Sequence, residues 1–255
     1  MSITETARRR DRIVNLLSSY GELSTTALSD MLDVTVQTLR ADLRALDEAR
    51  MVRRRHGGVT LATASENIDY QPRLTASRDE KARIGLKMAQ IIPHGATVAM
   101  GTGTTVEAVA RALVGHKDLT VATNNIHVVM ALRLAAGIKI TLAGGNVRLR
   151  DMDFIGAESA EFFAGLRFEH AIFSVGGISA QGDLLDFNLD EIRARKAIFA
   201  CAQERTLVMD HAKIGRDAPH RWGQLHEVER VICGGTLSGA LQEAALKNTC
   251  TILEV

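Results

Sequence analysis

The sequence predicts an α/β chain in two parts: a small helical unit closed by a basic hairpin, then a larger domain built on a parallel sheet. Three observations carry that expectation. Charge is unevenly clustered along a near-neutral chain. The first 60 residues show three short helical periods followed by an extended basic stretch. From about residue 97, short apolar runs ending in Gly, Asn or Asp alternate with helical periods.

The 255 residues carry 31 Lys+Arg against 30 Asp+Glu, so a generally polybasic or polyacidic protein is excluded. The length is ample for a core without disulfide or metal staples. Residues 1–58 nevertheless hold ten basic against eight acidic residues. Their basic side chains cluster at Arg8, Arg9, Arg10 and Arg12, then at Arg50, Arg53, Arg54 and Arg55 beside His56. Cys201, Cys233 and Cys250 are scattered, with no CxxC and no zinc-ligand spacing, and read as buried thiols in a reducing compartment. No metal or cofactor is expected. No secretory leader or apolar span stands out, so a cytoplasmic location without membrane contact is expected.

A first helix is predicted near Glu5–Ser19, with Ile13, Leu16 and Leu17 on one face and Gly21 as its stop. Ser24 is placed to cap a second helix that buries Leu28, Met31 and Leu32. A tight turn follows at Asp33-Val34. Thr35 then caps a third helix, whose Val36, Leu39, Leu43 and Leu46 are spaced as a core face. Gln37, Thr38, Arg40, Ala41 and Arg44 are left mainly on the other side. Residues 51–55 read as a strand that His56-Gly57-Gly58 turns back into 59–61. Helix, helix, turn, helix and basic hairpin is the order of a winged helix-turn-helix, whose third helix fits the major groove of DNA. Arg9, Arg10 and Arg12 are candidates for added contacts to the DNA backbone.

Residues 61–76 lack periodicity and read as a linker. Ser77 and Glu80 have the spacing of a capping box. The helix behind them carries Ile84, Met88 and Ile91. Strands are then expected at 97–100, 119–122, 138–143, 171–175, 207–209 and 231–233. Helices are expected after residue 105, over 126–136 and over 188–203. This order implies a mostly parallel sheet.

Ligands of such sheets bind at the carboxyl ends of the strands. Those ends carry Gly101-Thr102-Gly103-Thr104-Thr105, Asn124, Gly144-Gly145, Gly176-Gly177 and Asp210, and the strand expected at 231–233 is likewise followed by a glycine pair, Gly234-Gly235. A Gly/Thr loop before a helix suits a phosphate, although an ordinary strand-to-helix turn reads the same way. Asp210 and Lys213 fit a ligand's hydroxyls and phosphate, or a surface ion pair. Arg148 and Arg150 read as facing solvent, Glu191 and Arg195 as an i,i+4 pair, and Trp222 as packing, lid or stacking.

At Val34–Leu43 and Arg54-Arg55-His56-Gly57-Gly58 the chain resembles the DeoR family of transcriptional repressors. The resemblance continues at Gly103-Thr104-Thr105, Thr123-Asn124-Asn125, Leu184-Leu185-Asp186-Phe187 and Asp210–Arg216. It is most similar there to the subgroup of glycerol-3-phosphate regulon repressors. Ala41, Gly101, Ala212, Ile214 and Met152-Asp153-Phe154 depart from the family pattern. The resemblance implies a non-enzymatic repressor of a carbohydrate or polyol catabolic operon. It would be released by a phosphorylated sugar or polyol such as glycerol-3-phosphate, and would act as a homodimer or homotetramer. It also implies that the C-terminal α/β sensor domain is similar to ribose-5-phosphate isomerase, which supplies the rival reading as an enzyme. The isomerase needs paired aspartates in the loop that here reads Gly176-Gly177-Ile178-Ser179.

The expected division is 1–60 for the DNA reader, 61–76 for a linker and 77–255 for the sensor. Candidate DNA-binding residues are Thr35, Gln37, Thr38, Arg40, Arg44, Arg53, Arg54, Arg55 and His56, with operator DNA as the partner. Candidate effector-binding residues are Gly101, Thr102, Gly103, Thr104, Thr105, Asn124, Gly176, Asp210 and Lys213.

Overall fold

A computed structural model describes residues 3–20, 22–49, 51–55, 58–61, 67, 69–246 and 250–255. The chain forms two compact units that meet in sequence between Ser77 and Arg78.

The first unit runs α1 (Ile3–Tyr20), β1 (Glu22–Leu23), α2 (Thr25–Leu32), α3 (Val36–Glu48), β2 (Val52–Arg55), β3 (Gly58–Leu61) and α4 (Tyr70–Thr75). Both expected caps form. The Ala27 amide donates to the Ser24 hydroxyl at 3.0 Å, and the Thr38 amide to the Thr35 hydroxyl at 3.2 Å. Asp33 adopts a left-handed φ of +54° that ends α2 and lets the Val34 amide reach Ser29 O. Ile13, Leu17, Leu28, Leu32, Leu39, Leu43 and Leu46 close a core with Met51, Val52 and Val59.

Two expected core residues lie outside it. Met31 is 42% exposed, because Leu28, Ser29 and Leu32 set the buried face of α2 and Met31 stands about 100° round the helix from it. Val36, in the first turn of α3, is also exposed. The hairpin pairs Arg55 with Gly58, and β1 adds a third strand beside β3 that the sequence pattern did not announce. Of the stretch expected to be a linker, 62–66 and 68 lie outside the described residues, while Tyr70–Thr75 is helical with Tyr70 buried.

The second unit opens with α5 (Arg78–Ala89), β4 (Thr97–Met100), α6 (Thr104–Ala112), β5 (Thr120–Thr123), α7 (Ile126–Leu132), β6 (Lys139–Leu142), β7 (Val147–Arg148) and β8 (Asp153–Phe154). It continues with α8 (Ala157–Ala164), β9 (Phe168–Phe173), β10 (Gly177–Ile178), β11 (Asp183–Asp186), α9 (Leu189–Ala200) and β12 (Ala202–Met209). β13 (His220–Gln224), β14 (Arg230–Cys233), α10 (Gly239–Leu246) and β15 (Thr251–Glu254) complete it. Among the described residues the main sheet has seven strands in the order β15-β14-β12-β9-β4-β5-β6, all parallel. Buried apolar residues cover its two faces, one around Phe163, Phe173 and Leu207 and the other around Ile84, Met88 and Val109.

The expected capping box does not form. Ser77 has a φ of +53°, not the extended N-cap geometry, and both Glu80 carboxylate oxygens are engaged at His211. The antiparallel sheet β10-β11-β13 is a further addition to the sequence reading. Trp222 packs there in edge contact with Phe173 and Phe199. All three cysteines are free and buried, and burial pushes each thiol up to about 11.

Candidate functional site

In the first unit, the outer face of α3 presents Gln37, Arg40, Ala41 and Arg44 to solvent, with Thr38 half-buried. Their backbone is held by the Thr35 cap, where the two hydroxyls of Thr35 and Thr38 also share a 3.0 Å hydrogen bond. Arg53 and Arg54 are exposed on β2; the Arg55 side chain and His56 lie outside the described residues. Long cations and amide groups on a narrow helix beside a basic hairpin can contact base edges and phosphates.

The N-terminal arginines differ from the expectation. Arg9 is buried and its Nε donates to Asp42 Oδ2 at 2.5 Å, while Arg10 Nε donates to Asp42 Oδ1 at 2.9 Å. Both tie α1 to α3; Arg9 is turned inward, while the Arg10 side chain stays 38% exposed. Arg12 reaches Met31 O at 3.4 Å. The signal was present: Asp42 stands inside the stripe Leu39, Leu43, Leu46, and a carboxylate on a core face calls for a cationic partner.

In the second unit, the strand order reverses beside β4. From β4 the chain proceeds outward through β5 and β6, then returns to place β9 on the other side of β4 and continues through β12, β14 and β15. Such a reversal opens a crevice at the carboxyl ends of the two central strands. The loop Gly101–Thr105 begins there. The Gly101 amide donates to Ile172 O at 2.9 Å, and a side chain at Gly103, whose φ is +116°, would meet Ser174. Gly103 is the N-cap of α6 and supplies no side-chain cap to its first turn. Asn124 ends β5 on one flank. Asp210 ends β12 on the other, two strands or about 10 Å from β4. Gly176 follows β9 and is packed so closely that a Cβ would lie 2.8 Å from the Phe187 ring. One edge of one sheet therefore carries all the candidate effector residues.

Asn124 is buried; its Nδ2 donates to Phe154 O at 2.7 Å, and its Oδ1 has no hydrogen-bond partner among the described residues. The Thr102 hydroxyl is engaged, donating to Glu191 Oε1 at 3.0 Å and accepting from Arg195. Beyond Thr102 lies an ionic network. Arg195 pairs with Asp186 and with Glu191, the latter at the expected i,i+4 spacing. Arg148 meets Asp153 at 2.6 Å, Glu191 at 3.0 Å and Asp151 at 3.4 Å. Arg148 thus does not simply face solvent: the β7–β8 hairpin pairs it with Asp153 and folds it inward. A cavity of about 370 Å³ adjoins it, lined by Asn146, Val147 and Asp190 among others. Burial works against the Arg148 charge, but its hydrogen bonds to Asp153 and the carboxylates of Glu191 and Asp151 raise its pKa.

Burial pushes the Asp153 carboxyl up to about 6 from an ordinary 3.8, against the pull of Arg148 and helped by the charges of Glu191 and Asp151. The folded unit therefore takes up this proton before the unfolded chain does. The group's contribution to stability is full below about pH 4 and lost as pH rises through about 6. Urea midpoints of the full chain measured from pH 4 to 7 should show that slope, and Asp153→Asn should flatten it.

At the end of β12, Asp210 is buried against Lys81 Nζ at 3.3 Å. Burial alone would raise its carboxyl, yet Lys81, Lys213 and His211 hold it below the usual carboxylate range. Lys213, in the turn that follows, is buried as well. The ion pairs of Glu80, Lys81, Asp186 and Asp153 were not foreseen from sequence. Glu80 and Lys81 meet partners far away along the chain, His211 lying 131 positions from Glu80, whereas Asp153 and Asp186 pair with arginines only 5 and 9 positions away.

The chain matches the family model of the DeoR C terminal sensor domain over residues 76–234 and that of the DeoR-like helix-turn-helix domain over 9–65. It is 37% identical over 224 residues to the glycerol-3-phosphate regulon repressor of Escherichia coli (strain K12), covering 88% of this chain and 89% of that one. It is 36% identical over 245 residues to the glycerol-3-phosphate regulon repressor of Haemophilus influenzae, covering 96% of each. Among solved structures, a ribose 5-phosphate isomerase from Plasmodium falciparum matches with a TM-score of 0.39 and 15% identity, over 53% of this chain and 52% of that one.

Proposed function

Because this chain belongs to the DeoR family of transcriptional repressors, we propose that it represses a carbohydrate or polyol catabolic operon and is released by a phosphorylated effector of three to six carbons. Glycerol-3-phosphate is the first candidate, supported by the names of its relatives. The observation that carries the effector class is the Gly101–Thr105 loop at the strand reversal. It leads into a helix with no side-chain cap, beside the unpartnered Asn124 Oδ1. The effector's phosphate sits on that loop's backbone, with Lys213 as a counter-charge. Asn124 and Asp210 hold hydroxyls. Calorimetry tests this: glycerol-3-phosphate should bind, and Lys213→Ala should weaken it about tenfold or more. A folded protein that gives no heat with glycerol-3-phosphate or any sugar phosphate sinks the pocket assignment.

Operator DNA is read by Gln37, Thr38, Arg40 and Arg44 from α3, whose cap Thr35 stands at the backbone. Arg53, Arg54, Arg55 and His56 contact phosphates or the minor groove. Gln37→Ala and Arg40→Ala should each cost about 1–3 kcal/mol of sequence discrimination, roughly 5- to 150-fold. Both side chains are exposed, so unfolding midpoints should not move. Gel shifts with the DNA upstream of its own gene, against scrambled DNA, check this. Retained discrimination in both variants would move the recognition surface elsewhere. One reader spans few base pairs, so a homodimer or homotetramer binds half-sites about 34 Å apart or multiples of that. In this reading residues 1–60 are the reader, 61–76 the connection and 77–255 the sensor.

A further inference from the structure

Glu80 and Lys81 are adjacent charged residues in the first turn of α5, and both are buried. Each is held by the loop after β12. Lys81 Nζ lies 3.3 Å from Asp210 Oδ2. The His211 amide donates to Glu80 Oε1 at 2.6 Å, and His211 Nδ1 lies 2.5 Å from Glu80 Oε2. The seat for this arrangement is the glycine pair after β14. A Cβ on Gly234 would fall 1.8 Å from Glu80 Oε1, and one on Gly235 would fall 2.9 Å from the His211 Cβ. Gly234-Gly235 is therefore a cradle, which accounts for a strand-end pair that the effector site leaves unused.

The position of the clasp matters as much as its chemistry. Arg78, two residues before Glu80, is the first residue of the second unit, and Ser77 is the last of the first. The loop that grips Glu80 and Lys81 contains Asp210 and Lys213. We propose that this clasp couples effector occupancy to the junction between the units. The inference rests on the reading that Asp210 and Lys213 hold the effector. A hydroxyl bound to Asp210, or a phosphate drawn to Lys213, changes the field that holds Lys81 and shifts the turn carrying His211. Groups buried together in a low dielectric feel such a change strongly. The first turn of α5 then has two arrangements, and the effector favours the one with lower DNA affinity. By reciprocity, operator DNA weakens the effector by the same factor.

The test uses the full chain, glycerol-3-phosphate as the probe and the DNA upstream of its own gene. Coupling is the factor by which the probe weakens DNA binding, expected at roughly 5- to 150-fold in the unaltered protein. Glu80→Gln keeps an oxygen for the His211 amide but removes the charge, and Gly234→Ala pushes Glu80 from its seat. In both, probe affinity and probe-free DNA binding should stay within about threefold, while coupling falls toward unity. Hydrogen exchange in the unaltered protein gives a measurement free of substitution: the probe should change exchange of amides 78–82. The proposal is overturned if both variants keep full coupling, or if probe affinity falls in step with coupling. It is also overturned if the probe binds without altering exchange at 78–82. An unaltered protein that binds no phosphate ester instead refutes the effector reading, a result visible before any variant is made.

Discussion

Asp42→Ala should destabilise the first unit by about 3–5 kcal/mol, the range for removing one partner of a buried ion pair. Asp42 takes both Arg9 and Arg10, and Arg9 is only 8% exposed. Alanine removes the buried carboxylate that Arg9 and Arg10 share, and α1 loses its ionic tie to α3. The aromatic reporters separate the units. Trp222 is the chain's one tryptophan and lies in the second unit, while Tyr20 and Tyr70 lie in the first. Urea unfolding should show the tyrosine signal moving to lower denaturant while the tryptophan signal stays. A loss under about 1 kcal/mol would mean that the arginines are solvated and the triad contributes little. Operator binding should weaken too, because α3 is then less firmly held. That loss differs in kind from Arg40→Ala, which leaves the fold untouched.

The second large effect lies in the sensor. Arg148→Met should cost the second unit about 3–5 kcal/mol at pH 7, because Asp153, Asp151 and Glu191 lose the cation they share. Asp153 is fully buried, so water cannot replace that cation without opening the hairpin. The pH dependence identifies the cause. Asp153 takes up its proton near pH 6 in the native protein. Removing Arg148 removes a cation that holds this pKa down, so in the variant the proton binds at higher pH still. The cost should therefore shrink as pH falls from 7 to 5. It should also shrink in Arg148→Met/Asp153→Asn. Tryptophan-monitored unfolding reads both. An equal cost at pH 7 and pH 5 would assign the loss to packing of the arginine stem instead of charge.

The local grammar of this fold was legible in the sequence. Ser24 and Thr35 cap the helices they were expected to cap, because capping depends on a hydroxyl and the two or three residues after it. The parallel strands showed as apolar runs because both faces of such a sheet are covered. β10, β11 and β13 did not show. They are two to five residues long and contain Gly and polar residues; β10 contributes only two residues to its local hairpin with β11, and β11 pairs with β13 from far along the chain. The site divided in the same way. Gly101–Thr105, Asn124 and Asp210 could be proposed because strand ends are local features. The ions around them could not. Glu191 and Arg195 satisfy a helix pairing rule by themselves, and nothing nearby in sequence announces that Arg148, 43 positions away, joins them. Met31 shows the opposite limit: a three-residue spacing fits a core stripe, yet the helix turns it outward.

The three thiols carry a consequence of their own. With each pushed to about 11, roughly one in ten thousand is thiolate at neutral pH. Cys201, Cys233 and Cys250 lie at the end of α9, the end of β14 and the start of β15, toward one margin of the sheet. That margin is chemically quiet while it stays closed. Electrophiles and peroxides act on thiolate, so they reach these sulfurs only when the margin unzips. Alkylation of this protein is thus a clock for opening of the sheet.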